Sequence, residues 1–254
     1  MSRLIALAVL GLLAGCASIP RPAEVPAAAG PPPYDAWARV LGKFVDEQGR
    51  VDFAAVAGDR ADLDRFVAYV YDVGPNNRPQ LFAGPDEILA YHLNAYNALA
   101  MHKVLEAGIP KTLAGLRKIG FFYLDKVQVG GERISLYDYE NKVIRALGEP
   151  RVHMALNCMA VSCPRLPKEP FLPVGLDAQL ERETVRFFNE TRNVEVSDAE
   201  QVVRFSAILG FYTEDFLRKA PSLGAFANRY RTARIPESYA VQFIPYDWTI
   251  NRQR

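Results

Sequence analysis

One stretch limits the folds open to this chain more than any other: residues 84–106, GPDEILAYHLNAYNALAMHKVLE. Pro85 just inside the start, Asp86 and Glu87 in the first turn, and Gly108 and Pro110 beyond the end are the signals that open and close a helix. Ile88, Leu89, Leu93, Ala95, Ala98, Leu99, Val104 and Leu105 make it apolar nearly all round. A helix with no polar face is a buried helix, so the spacing predicts a domain built around residues 85–106. Glu87, Tyr91, Asn94 and Asn97 fall along one stripe of it, at intervals of four, three and three. A buried amide or carboxylate without a partner costs about 1–3 kcal/mol. These side chains therefore either bond a neighbouring loop and fix its shape, or line a site.

The N-terminus gives an address. Met1-Ser2-Arg3 precedes an apolar run over residues 4–14 that is too short to span a bilayer, the pattern of a secretory signal. The run ends in Leu13-Ala14-Gly15-Cys16, small residues before a Cys, as in the bacterial lipobox. The expectation is a signal peptide over residues 1–15, acylation of Cys16, and anchoring in a lipid bilayer by multiple acyl chains, which hold where one chain is marginal. Ala17 stands where Asp commonly retains such proteins in the inner membrane. This favours the outer membrane, facing the periplasm. Residues 16–33 are rich in Pro and Ala and read as a tether, leaving residues 34–254 as a single globular domain. With 30 basic and 29 acidic side chains and no basic run, nothing points to nucleic acid as a partner.

Along that domain, helical spacing appears over residues 34–45, 60–71 and 176–189, and again over 208–218 and 222–230. The aromatic and β-branched run 121–129, then Gly130-Gly131 and residues 133–136, reads as a glycine-turned hairpin. Ser135 or Asp138 caps a helix over 139–147 that carries Glu140. Residues 194–196 and 202–205 suggest a second hairpin, and 241–246 a last strand. The sum is a helix-rich α+β domain with short, dispersed strands and hairpins.

Chemistry concentrates in residues 151–166, RVHMALNCMAVSCPRL, where His153, Cys158 and Cys163 lie close together with Asn157 and Ser162 between them. If 152–156 is a strand and 159–161 opens a helix, Cys158 sits at a helix N-terminus, which favours its thiolate. His153 is then a base for it, and backbone N–H groups are oxyanion donors. Glu140, Asn94, Asn97 or Asp247 is the candidate to orient the histidine. Three other readings stand beside this one. With Cys16 acylated, Cys158 and Cys163 form an even pair in an oxidising compartment and are candidates for a disulfide. Both are also readable as small buried hydrophobes, a reading that ranks below the disulfide. A zinc site lacks an identifiable fourth ligand, and no metal or other cofactor is expected.

Residues 87–98 (EILAYHLNAYNA), Ile134-Ser135-Leu136 with Glu140, His153-Met154-Ala155-Leu156-Asn157-Cys158 through Ser162-Cys163-Pro164, and Tyr246-Asp247-Trp248 with Asn251 resemble the domain-of-unknown-function 547 family over about residues 46–251. The resemblance implies a domain of secreted or lipid-anchored bacterial proteins and brings no established activity. Family members tend to carry an aromatic residue where Met154 stands. In plant-type members Ser is expected at the position of Cys163, which puts the weight on Cys158. The leading expectation is a papain- or transglutaminase-like cysteine site. In it Cys158 is the nucleophile, His153 the base, and Glu140 a further catalytic member. Glu87, Asn94, Asn97, Asn157, Ser162 and Asp247 line it, and the chemistry is acyl transfer or hydrolysis of peptide or cell-wall amides. The competing expectation is a non-enzymatic envelope lipoprotein with a Cys158–Cys163 clamp and a binding surface.

Overall fold

The computed structural model describes residues 18–22 and 30–253. The apolar run at residues 4–14 and Cys16 lie outside them. Helices α1 (Tyr34–Phe44), α2 (Phe53–Gly58) and α3 (Ala61–Asp72) lead into α4 (Pro85–Glu106). Every side chain of α4 from Leu89 to Leu105 is buried, as its composition requires. Its polar side chains are satisfied by pinning the segments around it. The Tyr91 hydroxyl donates to the Val73 carbonyl at 2.6 Å, and Asn94 Nδ2 to the Phe171 carbonyl at 2.6 Å. Lys103 Nζ reaches the Phe121 carbonyl at 2.5 Å.

After α4 comes one turn of helix, α5 (Leu116–Lys118), which runs into a π-helical turn, Ile119–Leu124. Only Lys126–Val129 of the expected 121–129 strand is extended (β1); it pairs antiparallel with β2 (Glu132–Ser135) across Gly130 and Gly131. Both glycines have positive φ, 55° and 84°, as a type I′ turn demands. The strand starts late because the segment before it is pinned: Lys103 takes the Phe121 carbonyl and Asp125 N–H closes back on Gly120 at 2.9 Å. The Ser135 side chain caps the next helix by accepting from Asp138 N–H. That helix begins as α6 (Leu136–Asp138), widens into a second π-helical turn, Tyr139–Ile144, and tightens again before Gly148.

Residues 152–156 are not a strand. Helix α7 (Val152–Ala155) is a single turn, because the Glu149, Pro150 and Arg151 carbonyls accept from the N–H groups three residues on. Helix α8 (Leu176–Asn189) leads to β3 (Val194–Ser197), β4 (Val202–Ser206), α9 (Ala207–Phe211), α10 (Thr213–Leu217), α11 (Leu223–Ala227) and β5 (Ala240–Ile244). The expected single helix over 208–218 breaks at Tyr212 (φ −124°, ψ 28°), and the Thr213 hydroxyl takes the freed Leu209 carbonyl at 2.8 Å. Strand β3 pairs antiparallel and β5 parallel with β4.

These elements build two apolar cores. The larger gathers α1 to α4, the first hairpin and Ile250. The smaller gathers Phe187, Phe188, Phe205, Leu209, Phe216 and Phe226. Helix α7 stands between them: Val152 and Ala155 pack into the first core, Met154 into the second. The C-terminal segment then stitches the molecule together. Thr249 bridges to Thr112, Ile250 to Ala160 and Arg252 to Val51.

The helical and extended content is that of an α+β protein, as the sequence led us to expect. Residues 18–22, read as part of a tether, lie against the domain. Ile19 N–H donates to the Lys126 carbonyl at 2.8 Å, Tyr71 donates to the Ile19 carbonyl at 2.8 Å, and Arg21 pairs with Asp72 at 2.6 Å. Among the described residues no helix is long and apolar enough to cross a membrane.

Candidate functional site

A cleft of about 340 Å³ opens where the two cores meet. Tyr96, Phe122, Glu140, Leu156 and Cys158 face it from one side, Ile208, Phe211, Tyr212 and Tyr246 from the other, with His153 between. The two π-helical turns serve this wall. A π turn shifts the register of a helix, and such turns recur at functional sites. Here they bring Phe122 and Tyr123, and then Glu140 and Asn141, to the same opening.

His153 is held on all sides but one. Its Nε2 lies 2.9 Å from Asp215 Oδ2, its ring stacks on Tyr212 at 4.0 Å between centroids, and Phe216 packs at 5.3 Å. Asp215 also takes a fork from Arg145, at 2.6 and 3.0 Å. Burial works against its charge, but the hydrogen bonds from His153 and Arg145 outweigh burial and hold its carboxyl well below the usual carboxylate range. With Asp215 ionised, Nε2 is the nitrogen that donates to it, which leaves Nδ1 as the other ring nitrogen. Nδ1 is buried and has no hydrogen-bond partner among the described residues.

The polar partner of His153 is therefore Asp215, in place of the expected Glu140, Asn94, Asn97 or Asp247. Nothing local marks Asp215, which reads as an ordinary acid in the first turn of α10. Only the packing of the second core against α7 reveals its role. Glu140 lines the same cleft and accepts from the Tyr96 hydroxyl at 3.0 Å. Burial, and then the Glu140 charge, push Tyr96, Tyr212 and Tyr246 above the ordinary tyrosine range. All three stay protonated.

Cys158 and Cys163 are joined as a disulfide. Cys158 is half-buried at the cleft and Cys163 lies deeper, 3% exposed. The Tyr246 hydroxyl sits 3.3 Å from Cys158 Sγ and 3.1 Å from Cys163 Sγ, and Cys158 N–H donates to Cys163 Sγ at 3.0 Å. Cys158 does not open a helix. Met159 takes a left-handed conformation (φ 68°) and its N–H is captured by Asn157 Oδ1 at 2.7 Å, while Ala160 bridges to Ile250. No helix dipole acts on this sulfur.

The remaining expected residues hold backbone. Asn97 accepts from Asn157 N–H at 2.7 Å and donates to the Ala155 carbonyl at 3.0 Å, fixing the segment between His153 and Cys158. Asn157 donates to the Pro164 carbonyl at 2.7 Å. Asn94 clasps Phe171 through both its N–H and its carbonyl and accepts from Trp37 at 3.1 Å. The Ser162 hydroxyl accepts from Asp247 N–H at 2.8 Å, and the Asp247 carboxylate from Thr249 N–H at 2.8 Å. Glu87 is half-buried in the first turn of α4 and does not line the cleft. Sequence reasoning missed Arg145, Tyr212, Tyr246 as a sulfur contact, and Trp248 as a wall. The Tyr246-Asp247-Trp248 run was the one available signal for the last two.

Fold and site together define an α+β protein with an aromatic-walled cleft that holds a cysteine pair beside an aspartate-bound histidine. Residues 82–188 match the family described as "Protein of unknown function, DUF547". The match opens just before α4, closes inside α8, and encloses Glu140, His153, Cys158 and Cys163. It is narrower than the span expected from the sequence and leaves out Asp215 and Tyr246. No curated protein and no solved structure matches the chain.

Proposed function

We propose that the cleft is a cysteine-dependent acyl-transfer or amide-hydrolysis site for peptide or cell-wall amides, working in the dithiol state of the protein. One observation carries this reading. Cys158 shares the cleft with a histidine whose Nε2 is held by an ionised aspartate and whose Nδ1 is unpartnered. In the reduced protein Nδ1 takes the Cys158 proton. The thiolate attacks the substrate carbonyl carbon, and His153 returns the proton to the departing amine, leaving a thioester on Cys158. Water, deprotonated by the same nitrogen, then releases the acid and restores the thiol. Asp215 fixes the imidazole tautomer and balances its charge. The Met159 N–H is already spent on Asn157, so the Tyr246 hydroxyl, beside Sγ and kept protonated by burial, is the donor for the developing oxyanion.

The test is acyl-enzyme formation by the reduced protein on an activated acyl ester, read by intact mass and by release of the leaving group. Cys158→Ala abolishes both, and His153→Ala and Asp215→Asn slow them by roughly 100-fold or more. A folded, reduced wild type no faster than Cys158→Ala overturns the reading. The second reading, a non-enzymatic envelope binding protein with a Cys158–Cys163 clamp, is favoured by the disulfide itself. It becomes the better account in that event. Anchoring belongs to the same proposal: Cys16 is acylated and holds the domain on a bilayer facing the periplasm, and Cys16→Ala abolishes incorporation of labelled palmitate.

A further inference from the structure

We infer that the Cys158–Cys163 pair is a directional thiol–disulfide exchange site. Cys158 is the sulfur attacked from the cleft, Cys163 is the sulfur that leaves, and the ligand is a thiol on an amino acid or short peptide. Three observations point this way, and they stand on the disulfide and not on acyl transfer.

The first is access. Both cysteines line the cleft, but Cys158 is half-buried whereas Cys163 is only 3% exposed, so an incoming thiolate meets Cys158 first. A cleft of about 340 Å³ takes a small molecule or a peptide end and excludes a folded redox domain.

The second is the leaving group. Exchange is faster when the departing sulfur is stabilised as thiolate. Cys163 Sγ accepts the Cys158 N–H at 3.0 Å and faces the Tyr246 hydroxyl at 3.1 Å. Both donors are placed to hold the sulfur as it departs.

The third is the loop itself. The segment between the cysteines is held independently of the sulfur bridge. Val161 N–H donates to the Thr249 carbonyl at 2.8 Å, Cys163 N–H to Ala160 at 3.0 Å, and Asn251 N–H to Met159 at 2.9 Å. Arg192 holds the Val161 and Cys163 carbonyls at 3.1 and 3.2 Å. A ring this short removes less chain entropy than a long one, and a loop already stitched in place gains little more from it. The bridge can open and close without refolding.

The steps balance. A ligand thiolate forms a bond to Cys158 Sγ, the Cys158–Cys163 bond breaks, and its electron pair stays on Cys163. A second ligand thiolate attacks the ligand sulfur of the mixed disulfide and releases Cys158. Two thiols are oxidised to one disulfide as the protein disulfide is reduced to two thiols.

The experiment uses the full chain and glutathione as probe, with acid quenching and peptide mass mapping. Cys163→Ala, treated with glutathione disulfide, acquires the adduct at Cys158. In Cys158→Ala, Cys163 reacts at least tenfold more slowly under native conditions, and at a comparable rate once unfolded. Tyr246→Phe slows reduction of the native disulfide by reduced glutathione several-fold. Equal or faster native labelling of Cys163 overturns the direction. A wild-type disulfide that reduced glutathione opens only on unfolding overturns the site. None of these readouts involves an acyl substrate, so failure of acyl transfer leaves the test intact.

Discussion

His92 shows what a single buried side chain imposes on this molecule. Its Nδ1 lies 2.7 Å from the Tyr139 hydroxyl inside the main core, and burial lowers its pKa to about 4. The folded value lies below the ordinary histidine value. Between pH 6.5 and 4, therefore, the unfolded chain binds a proton that the folded chain refuses, and stability falls as pH drops through that window. The full loss is roughly 3 kcal/mol. Denaturant unfolding at pH 7 and pH 4.5 should show it, and His92→Gln should reduce the difference. Asp215 acts lower on the scale. Its carboxyl is depressed, so its contribution is present above the ordinary carboxylate range and is lost only as pH falls below that range. Residue chemistry of this kind was half legible in the sequence. The buried amides at positions 94 and 97 announced that something had to be bonded. Their partners include backbone atoms of segments 58 to 77 positions away, which no local pattern encodes. Asp215 was invisible for the same reason.

Among the elements, those with a clear period were read to within a residue or two. Helices α1, α3, α4 and α8, the second hairpin and β5 follow from apolar spacing, and the glycine turn of the first hairpin falls where expected although its first strand begins only at Lys126. The elements that were misread are those that tertiary contacts bend away from their local preference. Residues 119–124 have strand composition but form a π turn, with Phe121 and Phe122 buried and the Phe121 carbonyl taken by Lys103. Residues 152–155 have strand composition but close a single helical turn between two cores. Lys103 makes this testable. Its ammonium is buried, lies 4.8 Å from the Phe121 ring centroid, and bonds the carbonyls of Phe121 and Asp125. Lys103→Met keeps the apolar stem and orphans those carbonyls, which costs about 1–3 kcal/mol. Phe122 packs edge-on against Trp248 at 5.7 Å, so loosening this turn also loosens the cleft wall. The expected outcome is a lower unfolding midpoint together with altered tryptophan emission. Unchanged emission at a lowered midpoint would show that the turn keeps its shape without Lys103.

At the scale of the whole molecule, the N-terminal segment decides how the domain is carried. Composition makes residues 17–33 a tether, yet residues 18–22 lie against the domain, with an isolated bridge from Ser18 to Lys126. Tyr71, His102 and Asp72 are all committed to it, with His102 Nε2 at 3.2 Å from the Pro20 carbonyl. Ile19 packs on the main core. Two residues span at most about 7 Å, so whatever is attached at Cys16 is held within that reach of Ser18. With Cys16 acylated as proposed, the domain rides close to the bilayer by a fixed face; a free tether of residues 16–33 would let it range several times further. Hydrogen exchange on the full chain tests the docking directly. The Ile19 amide, which donates to Lys126 inside this contact, should exchange at least tenfold more slowly than an unstructured amide, and Arg21→Ala should erode that protection. A chain beginning at residue 30 leaves the Tyr71 hydroxyl and the His102 ring without these partners, and its midpoint should fall by roughly 2–6 °C. An unprotected Ile19 amide together with an unchanged midpoint would return residues 18–22 to the tether. The same cleft would then sit at the end of a long leash, free to sample amides far from the membrane.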